Sequence, residues 1–296
     1  MLPQVAIIIL NWNGLKDTTE CLDSLRSITY PNFRIILVDN HSHNDDADEL
    51  KRSFGDFIDV VENSQNFGFA KGNNIGIKKA LPENANFVLL LNNDTVVKPD
   101  FLDKLVETSQ KDNSDINAPK ILIHGTNEIS STGGTVKWFS KFIIQHDTKP
   151  ELVKAEQNFL TGCCLLIRKE VFEHIGFFDE AYFLYYEDVD LCLRARKAGY
   201  TMAVNPESVI WHKISQSVKP ESETYHYFTS RNKLLFTRKN GPLLAFLYQY
   251  IRALFSVLYI DIRLLGEKDP TQSMRLRAVR NGIMDFFKKK FYENSH

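Results

Sequence analysis

The stretch Phe87–Pro99, FVLLLNNDTVVKP, decides the fold. Five apolar residues, Phe87 to Leu91, stop abruptly at Asn92, Asn93 and Asp94. A short unbroken apolar run is the pattern of a strand buried on both faces, as in the middle of a parallel sheet. The polar trio then stands at the carboxyl end of that strand, where open α/β sheets bind their ligands. Pro99 with Asp100 predicts a helix start, because proline suits a first turn and an acid there suits the helix dipole. One acid and two amides held at a sheet edge can hold a metal ion and phosphates.

Upstream, Val5–Leu10 reads as the first strand, followed by the loop Asn11-Trp12-Asn13-Gly14. Asp17 or Thr18 is expected to cap a helix running to about Ile28. Phe33–Val38 reads as a second strand ending in Asp39-Asn40, and polar His41–Asp48 leads to a helix near Phe54. Ile58–Val61 is a third strand. A loop over 62–70 precedes a helix over 70–81, weakened by Gly72 and Gly76. Strand–helix alternation with short connections implies a parallel sheet with right-handed crossovers. Three strand ends, at Asn11, Asp39 and Asn92, carry polar side chains. A lone strand-end Asp39 would be as much a helix cap as a site; three such ends point to a nucleotide-binding layer.

Downstream the character changes. Residues 116–145 contain strand-like pieces broken by Gly125, Gly133 and Gly134, which predicts a hairpin or irregular sheet. Residues 158–167 read as an apolar strand containing Thr161-Gly162, and 168–174 as a short helix closed by Gly176. In FFDEAYFLYYEDVDLC, Phe177–Cys192, acids interleave with aromatics. A buried helix is expected over 187–197, with Glu187 and Asp188 in its first turn, where the dipole favours their ionised forms. Short strands at 200–204 and 208–211 lead to His212.

The chain has 296 residues, enough for one large α/β domain with a helical addition, and 43% of them are hydrophobic. A net charge of −1 gives no reason to expect nucleic acid as a partner. Cys21, Cys163, Cys164 and Cys192 lack metal-ligand spacing, so buried thiols in a reducing cytoplasm are expected. The start at VAIIIL shows no charged leader.

Beyond 221 the chain reads helical. Residues 242–265 are the most apolar, but Gln249, Arg252, Asp261 and Arg263 interrupt them. The uninterrupted runs are shorter than the roughly 20 residues of a bilayer span, and a mid-span Arg is costly. Residues 274–291 combine basic and apolar positions. This pattern suits contact with an anionic membrane surface through 242–291, or packing on the domain or in a homodimer.

These parts suit one chemistry. A diphosphate leaves readily only when its charge is neutralised, and a divalent cation on oxygen ligands does this. Asp94 is the natural ligand, and Asn92 or Asn93 can add a carbonyl or bond a phosphate. An acceptor hydroxyl needs a carboxylate as general base, and Asp188 or Glu187 fits; otherwise the pair merely caps its helix. Tyr182, Phe183, Tyr185, Tyr186 and Trp211 can stack on a sugar.

The motifs IIILNWNG, ILVDNHS, NFGFAKGNNIGI, LLLNNDTVVKPDFL, FLTGCCLLIRKEVFEHIGFFDEAYFLYYEDVDLCLRARKAGY and WHKISQS, in that order over about two-thirds of the chain, resemble the family 2 glycosyltransferases, in their rhamnosyltransferase-like branch. The resemblance implies an α/β GT-A fold: a Rossmann-like, mostly parallel central sheet flanked by helices. It also implies a nucleotide-diphospho-sugar donor, Mg²⁺ or Mn²⁺, and inversion by single displacement. By that resemblance Asn11 and Asn13 lie on the nucleotide-contacting first loop, and Asp39 receives the nucleobase imide. Asn66, Gly68 and Lys71 belong to the loop that closes over the nucleotide. Asn92, Asn93 and Asp94 occupy the metal motif, Asp188 matches the base, and His212 falls where a histidine meets the metal or pyrophosphate. Many members carry an aspartate where this chain has Asn92, so weaker metal affinity without donor is expected. The expected domain (1–220) divides into a nucleotide-binding half (1–115) and an acceptor half (116–220), with a helical appendage over 221–296.

The expected reaction moves a sugar, with rhamnose from a dTDP-sugar leading and a UDP-sugar as the other option. The acceptor is a growing surface polysaccharide or lipid-linked glycan, and the place is the cytoplasm or the inner face of the cell membrane. Two other readings compete: a non-catalytic nucleotide-sugar or glycan-binding module, and a sugar nucleotidyltransferase. The latter usually needs a glycine-rich basic loop that NWNGLKD does not supply. No G-x-G-x-x-G follows the first strand, against a dinucleotide oxidoreductase.

Overall fold

The computed structural model describes residues 2–291 apart from 84, 132, 142, 147–156 and 214–221. Strands β1 (Val5–Asn11), β2 (Phe33–Asp39), β3 (Asp59–Glu62) and β4 (Phe87–Asn92) run parallel in the order β3-β2-β1-β4. The register pairs Asn11 with Asp39 and Leu10 with Asn92. The three polar strand ends therefore emerge side by side, as the alternation requires.

Period-two alternation sends one set of side chains to each face. Ala6, Ile8, Val88 and Leu90 join one core, and Val5, Ile7, Ile9, Leu89 and Leu91 the other. Helix α1 (Leu15–Leu25) covers the second core, and α3 (Gly68–Ala80) covers the first; α2 (Asp46–Phe54) lies between β2 and β3 in sequence. Gly72 and Gly76, expected only to weaken α3, have a packing role. A Cβ there would stand 2.6 Å from Leu10 Cδ1 and 2.5 Å from Ile8 Cγ2, so their absence of side chain lets the helix lie close on β1.

Helix α1 begins earlier than expected, with Gly14 at its cap position, and it ends at Leu25 rather than Ile28. Thr18 does not cap it. It is fully buried and its hydroxyl donates to Asn11 Oδ1 at 2.7 Å, a tertiary demand that overrides capping preference. After Asp94 the chain forms a short strand β5 (Thr95–Val97) before α4 (Phe101–Lys111), so Pro99 precedes the helix instead of opening it.

In the second half, β10 (Cys164–Arg168) runs antiparallel between β4 and β6 (Ile116–Ile123). Strand β6 also pairs with β7 (Ile129–Ser131) and, in parallel, with β11 (Met202–His212), and β11 closes on β5. The two strands expected between 200 and 211 are one, with a register shift between Asn205 and Val209. Strands β8 (Gly134–Val136) and β9 (Ile144–His146) form the expected hairpin. The apolar run from 158 enters the ladder only at Cys164, touching β8 by a single bridge at Phe159. Helix α5 (Lys169–Ile175) ends at Gly176, with φ of +77°.

Helix α6 spans Glu187–Lys197, matching the sequence pattern. Helices α7 (Glu223–Asn240), α8 (Leu243–Leu264) and α9 (Pro270–Phe287) follow; the expected domain boundary at 220/221 lies outside the described residues. Leu234, Ala253, Ile283 and Phe286 share one hydrophobic core with Leu90 and Leu165, so these helices are packed into the domain. Gly282 brings α9 onto α7, since a Cβ there would sit 2.3 Å from the Tyr227 carbonyl oxygen. Helix α8 is unbroken over 22 residues and is long and apolar enough, by length and composition, to cross a membrane. The polar interruptions read in the sequence do not break it. Ala245, Gln249, Ala253 and Ile260 face inward, while Leu244, Tyr248, Ile251, Phe255, Leu258, Ile262 and Leu265 stay exposed.

Candidate active site

The polar strand ends form a hydrogen-bonded floor. Asn11 is fully buried. Its amide donates to Asp39 Oδ1 at 2.8 Å and to Asp46 Oδ2 at 3.2 Å, while its carbonyl accepts from Thr18. Asp39 also accepts from the Ser42 hydroxyl and backbone N–H. Asn13, at φ of 51°, accepts from the His43 N–H at 2.7 Å and fixes the first loop. Asn40 ties this floor to the next loop: its amide donates to Asn66 Oδ1 at 2.9 Å, and its carbonyl accepts from the Phe67 N–H. Asn66 accepts in turn from the Gly68 N–H. Gly68 sits at φ of +76° with no room for a Cβ, which would lie 2.6 Å from the Phe183 ring. The Phe69 and Ala70 N–H groups donate to the Phe183 carbonyl, joining the two halves. Lys71 lies over the Phe67 ring at 4.0 Å.

At the end of β4, Asn93 donates to Thr18 Oγ1 at 2.9 Å. Asp94 is buried, and its Oδ1 lies 3.1 Å from His212 Nε2 without hydrogen-bond alignment. Burial lowers the pKa of the His212 imidazole, but the Cys163 sulfur and the Asp94 carboxylate outweigh it and push it up to about 11. A buried carboxylate oxygen and an imidazole nitrogen so placed are both metal-donor types. Among the described residues, no group of three His, Cys, Asp or Glu side chains converges on one point. Two protein donors fit a divalent cation that takes the rest of its shell from a diphosphate and water. A metal needs the neutral imidazole, so cation and proton compete there.

The carboxylate pair opens α6. Asp188 Oδ2 accepts from the Gly162 N–H at 2.7 Å, and Oδ1 from the Val189 N–H at 2.8 Å. Gly162 is free to donate because it stands before the β10 ladder begins. Burial raises the Asp188 pKa, and these N–H donors and His146 oppose the rise. Glu187 is buried with Oε2 unbonded; burial, then Asp188 and Asp190, hold its pKa well above the usual carboxylate range. Environments that separate two adjacent carboxyls assign their roles. Asp188 is the oriented carboxylate that can take a proton, and Glu187 favours its neutral form. Asp190 is structural, held by Arg194, Tyr182 and Asn240.

The loop before this pair is strained. Phe183, Tyr185 and Tyr186 have φ of 62°, 70° and 78°, and bulky residues rarely adopt such angles. Each costs about 1–3 kcal/mol and persists only where the surroundings enforce it. The enforcement comes from α7. Asn232 Nδ2 lies 2.8–2.9 Å from the carbonyl oxygens of Tyr182, Leu184 and Tyr185. Arg231, fully buried, donates Nη2 to the carbonyls of Ala181 and Tyr182 and lies 4.9 Å from the Phe228 ring centre. Sequence reading missed both residues. Within a helical pattern, nothing marks a buried polar pair as reaching another loop.

One cavity of about 1490 Å³ joins these parts. Asn66, Gly68, Asn92, Asn93, Asp94, Tyr185, Tyr186, Glu187, Asp188 and His212 line it. Asn11, Asn13, Asp39, Lys71 and Trp211 do not; Trp211 alternates with His212 along β11 and so faces the other side of the sheet. Trp12, Asn40, Thr161 and Gly162, which the sequence did not single out as site residues, line it.

Two outcomes follow from this geometry. Raised carboxyl pKa values mean that the folded state holds protons more tightly than the unfolded chain. The stability they contribute is complete below the ordinary carboxylate range and is lost as pH rises through the folded values. Glu187→Gln should therefore flatten the fall of melting temperature between acidic and neutral pH, read by thermal denaturation across pH. Asn232→Ala takes the side-chain amide donor from the Leu184 and Tyr185 carbonyls, while the Tyr182 carbonyl keeps Arg231. It should cost roughly 1–3 kcal/mol in urea unfolding and lower turnover more than nucleotide affinity.

Comparison with known proteins agrees with this architecture. The family model for glycosyl transferase family 2 matches residues 6–176. The chain is 28% identical over 248 residues to the low-salt glycan biosynthesis hexosyltransferase Agl10 of Haloferax volcanii, covering 79% of this chain and 76% of that protein. It is 25% identical to the dTDP-rhamnosyl transferase RfbF of Shigella flexneri over 291 residues, 94% of each. A shorter match, 38% identical over 86 residues and 28% of each chain, is to the N-acetylglucosaminyl-diphospho-decaprenol L-rhamnosyltransferase of Mycobacterium tuberculosis. Among solved structures, GalNAc-T7 with UDP, GalNAc and Mn²⁺ superposes with a TM-score of 0.68 at 17% identity, covering 98% of this chain and 57% of that one. The mannosyltransferase PcManGT of Pyrobaculum calidifontis, in complex with GDP-Man and Mn²⁺, gives 0.62 at 14% identity, covering 98% and 88%. The fold is GT-A, and the chain belongs to glycosyl transferase family 2, a glycosyltransferase with rhamnosyl- and hexosyltransferase relatives.

Proposed function

We propose that the protein is an inverting, metal-assisted glycosyltransferase that moves a sugar, rhamnose first among candidates, from a dTDP- or UDP-sugar to a hydroxyl of a lipid-linked glycan. The observation that carries this reading is the single cavity joining Asp94 and His212 to the Glu187–Asp188 pair. The names of the rhamnosyltransferase relatives support the sugar and the lipid-linked acceptor.

The nucleotide lies over the strand ends, with Asn66 and Gly68 on the closing loop and Asp39 toward the base. Asn11 and Asn13 hold the first loop, and Lys71 stands near the phosphates. Asn92, Asn93 and Asp94 face the diphosphate. Asp94 and His212 would hold Mg²⁺ or Mn²⁺, which when bound neutralises the departing diphosphate. Tyr185 and Tyr186 shape the sugar pocket, and Trp211 supports the sheet beneath. The acceptor O–H bond breaks as its proton passes to Asp188. The oxygen forms a bond to the anomeric carbon from the face opposite the diphosphate, and the glycosidic electron pair leaves with the β-phosphate oxygen. Glu187, neutral, avoids adding a second negative charge beside the base.

A second part of the reading concerns place. Residues 221–296 carry 13 Lys and Arg against 7 Asp and Glu, whereas residues 1–220 carry 23 against 30. The basic part bears the exposed apolar face of α8, with Lys288, Lys289 and Lys290 exposed after α9. Phe246 of α8 packs on Phe286, so these lysines lie near the start of α8. Apolar surface with a basic flank fits an anionic lipid surface. We place the enzyme at the inner face of the cell membrane on that ground.

Asp188→Asn should lower transfer from the dTDP-sugar by about 10²–10⁴-fold while thymidine diphosphate with Mn²⁺ still raises the melting temperature. Asp94→Ala should remove the Mn²⁺-dependent part of that rise. Full activity in Asp188→Asn would sink the base assignment. Vesicles containing phosphatidylglycerol should carry the protein in flotation, and pure phosphatidylcholine should not. Ile251→Glu with Phe255→Glu should abolish flotation. No flotation, with a dimer in light scattering that the double variant dissolves, would assign this face to a second copy.

A further inference from the structure

Asn11, Thr18 and Asn93 form a chain in which each hydrogen can be counted. The Asn11 amide donates to two carboxylates, Asp39 Oδ1 at 2.8 Å and Asp46 Oδ2 at 3.2 Å. An ionised carboxylate only accepts, so the nitrogen end of Asn11 must face the two acids and its Oδ1 must face Thr18. The Thr18 side chain is fully buried, and its Oγ1 lies 2.7 Å from Asn11 Oδ1. An amide oxygen also only accepts, so the single hydroxyl hydrogen of Thr18 goes to Asn11. Only lone pairs of Oγ1 are left for Asn93, which stands 2.9 Å away. Asn93 must therefore turn Nδ2 to Thr18 and leave Oδ1 for the cavity, which this residue lines.

Gly14 makes room for the chain. A Cβ there would stand 2.5 Å from Asn93 Nδ2 and 3.2 Å from Asn11 Oδ1. Its φ of −124° is open to any residue, so glycine is required here for space and not for conformation. Two uses are open to an amide beside a diphosphate: its N–H can bond a phosphate oxygen, or its carbonyl can take an electropositive group. The hydrogen count selects the second. An ionised phosphate oxygen carries only lone pairs and cannot bond Oδ1, whereas a divalent cation or a hydroxyl hydrogen can.

We propose that Thr18 is a positioning residue of the donor site. By spending its one hydrogen on Asn11 it fixes the Asn93 amide, so that position 93 offers an oxygen to the cation or to a hydroxyl of the nucleotide. This deepens the transferase reading and rests on its donor side. The ordering starts at the buried acids Asp39 and Asp46 and passes through Asn11 and Thr18 to the cavity. It also gives a reason for asparagine at 93. Asn93→Asp would place an acceptor on each side of Thr18 Oγ1, with one hydroxyl hydrogen for both.

Titration calorimetry of the full chain with thymidine diphosphate, in Mn²⁺ and in EDTA, tests the role. Thr18→Val keeps the side-chain shape without the hydroxyl, and it should weaken binding by about tenfold, the worth of one well-placed hydrogen bond. Thr18→Ser should bind as the unsubstituted protein does. A loss confined to Mn²⁺ assigns the Asn93 oxygen to the cation, and a loss in both conditions assigns it to a nucleotide hydroxyl. Adding Asn93→Asp to Thr18→Val should recover binding in Mn²⁺, because a carboxylate presents an oxygen whichever way it turns. Thermal denaturation without ligand reads the hydrogen count itself. Asn93→Asp should lower the melting temperature of the unsubstituted protein more than that of Thr18→Val, where the opposing oxygen is gone; a merely structural threonine would leave the two losses equal. Undiminished binding by Thr18→Val, or equal melting losses in the two backgrounds, would overturn the proposal and leave the donor reading standing. No binding of thymidine or uridine diphosphate by the unsubstituted protein would overturn both.

Discussion

The grip of Arg231 and Asn232 on the carbonyls of residues 181–185 is the constraint on which the active site depends. The loop they hold carries unfavourable backbone angles at Phe183, Tyr185 and Tyr186. Such angles persist only where the surroundings enforce them. A buried guanidinium is itself costly, and burial lowers the Arg231 pKa. Its charge is offset by carbonyl dipoles and the Phe228 ring. The helix that holds the loop is in turn set by α9, through the close contact at Gly282. The C-terminal helices thus act in building the site.

The other half of the site is fixed by different physics. Parallel strands in register bring Asn11 level with Asp39 and put Asn92 beside Leu10, and amide–carboxylate bonds between Asn11 and the acids Asp39 and Asp46 lock the floor. That floor is rigid before any ligand arrives, which favours orientation over adaptation. The Phe183 carbonyl joins it to the strained loop by accepting from Phe69 and Ala70. Gly68 allows this approach because any side chain would collide with Phe183. One short segment therefore couples the loop expected to cover the nucleotide to the loop that precedes the Glu187–Asp188 pair.

Helix α8 faces two environments at once. Its inner positions Gln249, Arg252, Ala253 and Ser256 line the cavity, and its outer positions form a continuous apolar face. An amphipathic surface helix normally buries its apolar side and shows its polar side to water. Here both faces carry apolar residues, with Ala245, Ala253 and Ile260 buried inward and Gln249, Arg252 and Ser256 set among them at the cavity.

The sequence by itself determined the α/β class, the parallel first half, the helix from Glu187 to Lys197 and the polar strand ends. These rest on local signals: apolar runs, periodicity and abrupt changes at strand ends. It also indicated Asp94, Asp188 and His212, whose approach to one cavity follows from their places at the ends of strands and at a helix start. Tertiary structure alone decided the rest. Short β5 was hidden because three residues carry too little pattern. Thr18 became a buried donor because Asn11 needed a partner. Gly72 and Gly76 act through contacts with β1 that no local rule contains. Trp211 suits a sugar pocket by residue type, but the alternation of β11 turns it away. The pairing of Arg231 and Asn232 with a loop some fifty residues earlier depends on how α7 packs on that loop. Such long-range geometry is set by packing, and packing leaves no periodic trace in the chain.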